Sequence, residues 1–117
     1  MTRSKWHILK EEGALTVARN LPVRFDFSAQ VMLPRCGKRR LAMQIRQDMW
    51  RLLQNLRGFS PVVRVEDAGE NLCVTAGGKV DQRRFPSEQS EEKLRDMLGD
   101  RSNHARWVAY ARGVCYE

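Results

Sequence analysis

Cysteine and histidine are scarce in this chain of 117 residues. It contains only three cysteines, at positions 36, 73 and 115, and two histidines. A small, odd number of widely spaced cysteines argues against a disulfide framework and is typical of a reducing compartment. The ligand pairs of structural zinc sites come at short fixed spacings. Because the chain has no CxxC or HxxxH pair, we predict no metal site and no cofactor.

Long hydrophobic runs are absent as well. No apolar stretch approaches the ~18 residues that a membrane-spanning helix requires. Residues 10–12 are charged, at a point where a secretory signal peptide has an apolar run. We therefore expect a cytoplasmic protein that has no membrane partner.

Acidic residues are few in the first half of the chain. Residues 1–64 contain 13 Lys or Arg and 4 Asp or Glu, a net charge of +9, whereas residues 65–117 contain 8 and 10, a net charge of −2. Such asymmetry predicts one basic face on an otherwise neutral or acidic molecule. A basic face is suited to nucleic acid, to an acidic protein or to another anionic surface.

What the chain does have is the composition of a folded domain. It is 42% hydrophobic and 30% charged, a balance that a disordered chain lacks. We expect one domain over residues 1–117, in which residues 1–12 form a loose or short helical start. The apolar periodicities predict, in chain order, a weak strand at 14–19, a strand at 23–33, a helix from about 37 to 57, strands at 61–66 and 72–76, a weak strand at 80–85, a helix from about 88 to 98, and a last helix capped by Asp100 or Ser102.

These elements predict an α+β fold. A mainly antiparallel sheet is built from residues 14–33 and 61–85, with the long helix and two shorter C-terminal helices packed on it. Turn residues at 20–22 predict a hairpin between the first two strands, and Gly77-Gly78 predicts another tight turn. The leucine-rich face of the long helix would pack on Phe25, Phe27 and Val31.

The long helix lies in the most basic segment of the chain. From Leu33 to Phe59 there are seven Lys or Arg residues and one acidic residue. On a helical wheel, Met43 and Trp50 lie outside the apolar arc and are bracketed by arginines. The candidate residues for binding a partner or a nucleic acid are Arg35, Lys38, Arg39, Arg40, Met43, Arg46, Trp50 and Arg57.

Two functions fit this helix. Trp and Arg are both enriched in protein interfaces, which favours a small non-enzymatic binding or adaptor protein that binds a protein partner or a second copy of itself as a homodimer. The alternative is a nucleic-acid-binding protein for DNA or RNA, in which guanidinium groups contact phosphates and Trp50 stacks on an unpaired base. Packing against a C-terminal helix is the remaining explanation for Trp50.

A catalytic constellation is not evident. Cys36 stands beside Arg35 and Lys38, and positive charge stabilises a thiolate. A cysteine nucleophile also needs a base that a third group orients, and nothing in the sequence places His7 or His104 near Cys36. We therefore predict no catalytic residues and a protein that is not an enzyme.

Overall fold

A computed structural model describes residues 6–113 of the chain. The described part is a single α+β domain with a five-stranded antiparallel sheet and three helices, which confirms the predicted fold class. The elements are β1 (His7–Glu11), β2 (Ala14–Ala18), β3 (Phe27–Pro34), α1 (Lys38–Leu52), β4 (Phe59–Ala68), β5 (Asn71–Val80), α2 (Ser87–Gly99) and α3 (Arg101–Ala111). The strand order across the sheet is β1-β2-β4-β5-β3. Within residues 6–113, no helix is both long and apolar enough to cross a membrane.

The core forms between one face of the sheet and the three helices. Leu15 of β2 pairs with Val65 of β4, which pairs with Val74 of β5. These three partners form an apolar row that crosses the sheet, because paired residues point to the same face. From α1, Leu41 and Ile45 are fully buried against this row. α1 covers β2 and β4, α2 covers β3, and α3 packs against α1 and α2. The predicted contact of α1 with Phe25, Phe27 and Val31 is therefore wrong, because α2 is the helix that lies over β3.

The N-terminal segment is a strand, and the predicted loose or helical start over residues 1–12 is wrong where the structure describes it. His7–Glu11 form β1 and pair with β2 along its whole length. Only Ile8 of β1 packs against the core, so the strand lacks the alternation that would reveal it. The predicted hairpin between the second and third segments is also wrong, since β2 pairs with β1 and β4, whereas β3 pairs with β5.

Helix α1 is shorter than predicted. It ends at Leu52 rather than at Arg57, and the amide of Leu56 bonds to the carbonyl of Leu53 in the turn that follows. Gly58 does not cap the helix. It has a positive φ of 74° within the turn that leads directly into β4.

Gly77 and Gly78 lie inside β5 and form no turn, and the predicted weak strand at 80–85 is wrong except for Val80, the last residue of β5. A Cβ atom on Gly77 would lie 2.1 Å from the carbonyl oxygen of Phe27, and one on Gly78 would lie 2.2 Å from that of Ser60. The two glycines therefore allow β3 and β4 to approach β5 from both sides.

We expect Gly77→Ala to lower the free energy of unfolding by about 1–3 kcal/mol, because the added methyl group has no space beside Phe27. Gly99→Ala is the matched control, since a Cβ at Gly99 meets no heavy atom within 4 Å. That control should leave stability unchanged or raise it by up to about 1 kcal/mol. Urea denaturation of both variants measures the difference. Equal midpoints for Gly77→Ala and the parent protein would contradict the close approach of these strands.

Candidate ligand-binding face of helix α1

Asp48, the only acidic residue of α1, points inward to α3. Its Oδ2 atom accepts a hydrogen bond of 2.8 Å from Nε1 of Trp107 and one of 2.6 Å from Nη2 of Arg106. Trp107 is fully buried, so this carboxylate satisfies a donor that water does not reach. The carboxylate of Asp48 therefore binds partners on α3, and the outer face of α1 carries no acidic residue.

Two of the predicted site residues form ion pairs with a residue of the sheet. Arg35 Nη2 and Lys38 Nζ lie 2.7 and 2.8 Å from Oδ1 of Asp67, at the end of β4. The hydrogen bonds from Lys38 and Arg35 hold the pKa of Asp67 below its ordinary value. These two cations are thereby directed toward the β4–β5 turn and away from the outer face of α1.

The remaining cations of the helix are not neutralised in this way. Within residues 6–113, none of Arg39, Arg40 and Arg46 forms an ion pair. Arg39 and Arg40 are exposed, whereas Arg46 is half-buried. With Met43, Gln47 and Trp50 they form what we call the α1 outer face.

A pocket of about 460 Å³ borders this face on the side of β1 and β2. We call it the tryptophan pocket, and its lining residues are Trp6, Arg19, Asn20, Arg46, Trp50, Phe59, Ser60 and Pro61. The guanidinium carbon of Arg46 lies 4.5 Å from the centroid of the Trp6 ring, and that of Arg19 lies 5.8 Å from it. Trp50 is 46% exposed at the rim. The pocket thus joins two guanidinium groups with two indole rings.

Arg46 is a partly buried cation at the wall of the pocket. Its Nε atom is buried and has no hydrogen-bond partner among the described residues. Burial lowers the pKa of Arg46, since removal from water disfavours the charged form. Among the described residues, none that lines the pocket is a carboxylate. A half-buried cation without a counter-charge is unfavourable, and a bound anion would remove that penalty.

A second pocket, of about 490 Å³, borders the same face on the side of α3. We call it the tyrosine pocket, and its lining residues are Arg39, Arg40, Met43, Gln44, Arg46, Gln47 and Tyr110. The guanidinium carbon of Arg40 lies 5.8 Å from the centroid of the Tyr110 ring. Arg46 lines both pockets, so the two are adjacent along the outer face.

The structure brings together five of the eight residues predicted from the sequence: Arg39, Arg40, Met43, Arg46 and Trp50. Arg57 lies beyond the end of α1 and lines a separate pocket with Gln82 and Lys93.

Three wall residues, Trp6, Arg19 and Tyr110, were missed by the sequence reasoning. Trp6 and Ile8 both pack against the core, but the next alternate residue, Lys10, is exposed and charged, so no sustained alternation marked Trp6. Tyr110 offered no signal either, because its position depends on how α3 docks.

The residues considered for catalysis do not meet at this face. Burial raises the pKa of Cys36, which is the opposite of what a thiolate nucleophile requires. His7 lies on β1, and His104 hydrogen-bonds through Nε2 to the carbonyl of Leu98. In the part of the chain that the structure describes, no cluster of three or more metal-ligating side chains occurs. Cys115 lies outside the described residues.

No protein-family model, curated protein or solved structure matches this chain. Its function is therefore inferred from the residues of the site, because a fold alone does not define a function.

We expect Asp48→Ala to lower the free energy of unfolding by about 1–3 kcal/mol, because the buried N–H group of Trp107 would lose its acceptor. Arg106→Ala is the control, since it removes the ion pair with Asp48 but keeps that acceptor. An ion pair with one exposed partner contributes about 1 kcal/mol or less. We therefore expect Asp48→Ala to lose more stability than Arg106→Ala, and chemical denaturation of both variants measures the difference. A larger loss of stability in Arg106→Ala would contradict this expectation.

Proposed function

We propose that this is a non-enzymatic binding protein whose α1 outer face, with the two pockets beside it, binds single-stranded nucleic acid. The observation that carries the proposal is the combination of guanidinium groups and aromatic rings in two adjacent pockets, whose described lining residues include no carboxylate. Arg46 lies over Trp6, and Arg40 lies over Tyr110.

Each part of this arrangement has a counterpart in a nucleic acid strand. Guanidinium groups donate paired N–H bonds to phosphate oxygens. Aromatic rings provide flat surfaces on which bases stack, and such stacking accepts any base. Trp50 and Tyr110 are 46% and 51% exposed, so their rings are accessible to a ligand.

The position of α1 favours a single strand over a duplex. A helix that reads a major groove presents its outer face free of neighbouring elements. Here Trp6 borders that face on one side and Tyr110 borders it on the other. Bases that are already unstacked can reach rings in such a recessed surface, whereas the bases of a duplex are held inside the stack.

Fluorescence anisotropy with a labelled single-stranded oligonucleotide tests the proposal. We expect tight binding at low salt that weakens by orders of magnitude as salt rises, because each neutralised phosphate releases counterions. Arg39→Ala should lower the slope of log K against log salt by about 0.7. Arg35→Ala is the matched control, as it removes the same charge but from a residue already paired with Asp67. Binding that ignores salt, or equal effects of the two variants, would contradict the proposal.

A homodimer formed through the same face is the second candidate, and a protein partner would use the same residues. The half-exposed Trp50 and Tyr110 beside arginines favour it, since these residue types dominate the energetic centres of protein interfaces. If this candidate holds, the parent protein has twice the mass of one chain by light scattering, and Trp50→Ala is a folded monomer. A parent protein with the mass of one chain would contradict the homodimer.

A further inference from the structure

We infer that the tryptophan pocket is a subsite for one unstacked nucleotide, in which the base lies against Trp50 and the phosphate binds the guanidinium group of Arg46. The inference rests on the proposed function, because it assigns a specific part of the strand to a specific part of the face. It goes beyond that function because it makes this pocket the source of preference for single strands.

The phosphate is assigned to Arg46 from its surroundings. The Trp6 ring, 4.5 Å away, covers the guanidinium group and fixes its position at the wall of the pocket. Its Nε atom is buried without a partner among the described residues. Arginine has five N–H donors in a planar fork, a geometry that matches the oxygens of a phosphate. A phosphate at this point would provide the counter-charge that Arg46 lacks among the described residues.

The base is assigned to the part of the same pocket that lies beside Trp50. Trp50 comes from α1 one turn beyond Arg46, while Phe59 and Pro61 come from the start of β4. Phe59 is buried at the base of the pocket, whereas the exposed indole ring of Trp50 is a surface on which an isolated base stacks. The volume of about 460 Å³ lies in the range of pockets that hold small ligands. The pocket therefore has room for a base together with its phosphate.

Polar groups for the base edge are also present. The side-chain amide of Asn20 donates to Oγ of Ser60 at 2.7 Å. This bond orients the Asn20 amide and leaves the Ser60 hydroxyl proton free to donate. The pair thus offers a donor beside the apolar wall, as a site for a planar heterocycle requires.

The tyrosine pocket does not fit the same ligand as well. Two of its arginines, Arg39 and Arg40, are exposed, and Tyr110 is the one aromatic residue among the described residues that line it. It suits the sugar–phosphate backbone that continues from the bound nucleotide. A duplex can also reach such exposed cations, so loss of Arg39 should weaken single and double strands alike.

The test compares a short single-stranded oligonucleotide with the duplex of the same sequence. We expect Trp50→Leu to weaken single-strand binding by about 5- to 100-fold, the effect of losing one stacked base, and to change duplex binding little. Leu52→Ala is the control, since Leu52 is a partly exposed residue of the same helix outside the pocket. Trp50 lies at the surface, so both variants should retain the far-UV circular dichroism of the parent protein.

A second pair of variants tests the phosphate. Arg46→Lys keeps the charge but loses the planar fork, so the affinity for adenosine 5′-monophosphate should fall in isothermal titration calorimetry. Arg51→Lys makes the same change on α1 outside the pocket and should have no effect. In the parent protein, adenosine 5′-monophosphate should bind more tightly than adenosine or inorganic phosphate, because only the nucleotide fills both halves of the pocket.

The outcomes separate the subsite from the proposed function. Equal weakening of single strands and duplexes by Trp50→Leu, or no weakening, would overturn the subsite while salt-dependent binding by the α1 outer face remains. If the parent protein binds no oligonucleotide but binds adenosine 5′-monophosphate through Arg46, the pocket is a nucleotide site and the proposed function fails. Preference for inorganic phosphate would overturn the assignment of the base.

Discussion

The hydrogen bonds that Asp48 accepts from Trp107 and Arg106 fix the rotation of α1 about its own axis. Trp107 fills the core between α1 and the C-terminal helices, and its N–H group has to find an acceptor there. Residues two positions apart on a helix point about 200° apart. Once Asp48 faces α3 and Met49 faces the sheet, Arg46 lies at the border of the core on the side of β1. The location of the tryptophan pocket follows from this constraint.

The same constraint has an energetic cost at Arg46. A half-buried guanidinium with an unpartnered Nε atom is less favourable than an apolar side chain of similar size would be at that position. The Trp6 ring offsets part of this cost by contact with the cation. Proteins generally break the rules of local packing at functional sites and compensate elsewhere in the fold. The compensation here comes from the aliphatic core residues of the same helix, such as Leu41 and Ile45.

Sequence patterns could predict the residues of α1 but not the walls around it. The apolar arc of α1 is a local property, so it placed Trp50 outside the core correctly. Trp6 directly precedes β1, an edge strand whose charged residues interrupt the apolar alternation, and its ring lies against Arg46 because β1 pairs with β2. The ion pair between Arg35 and Asp67 joins residues that are far apart in the chain, so local sequence patterns do not reveal it. Gly77 was mistaken for a turn because the sequence does not reveal that two strands approach it closely.

The position of α2 separates acidic residues from the arginines of α1. This helix contains four acidic and two basic residues and covers β3, at one edge of the sheet. The tryptophan pocket lies toward the opposite edge, beside β1 and β2. The acidic excess of α2 and the arginines of the α1 outer face lie on different parts of the surface, and such a separation of charge turns a diffusing protein in the field of a charged partner. If the proposed function holds, a polyanion would therefore meet the molecule with the α1 outer face leading, so that a larger share of encounters would begin in a productive orientation.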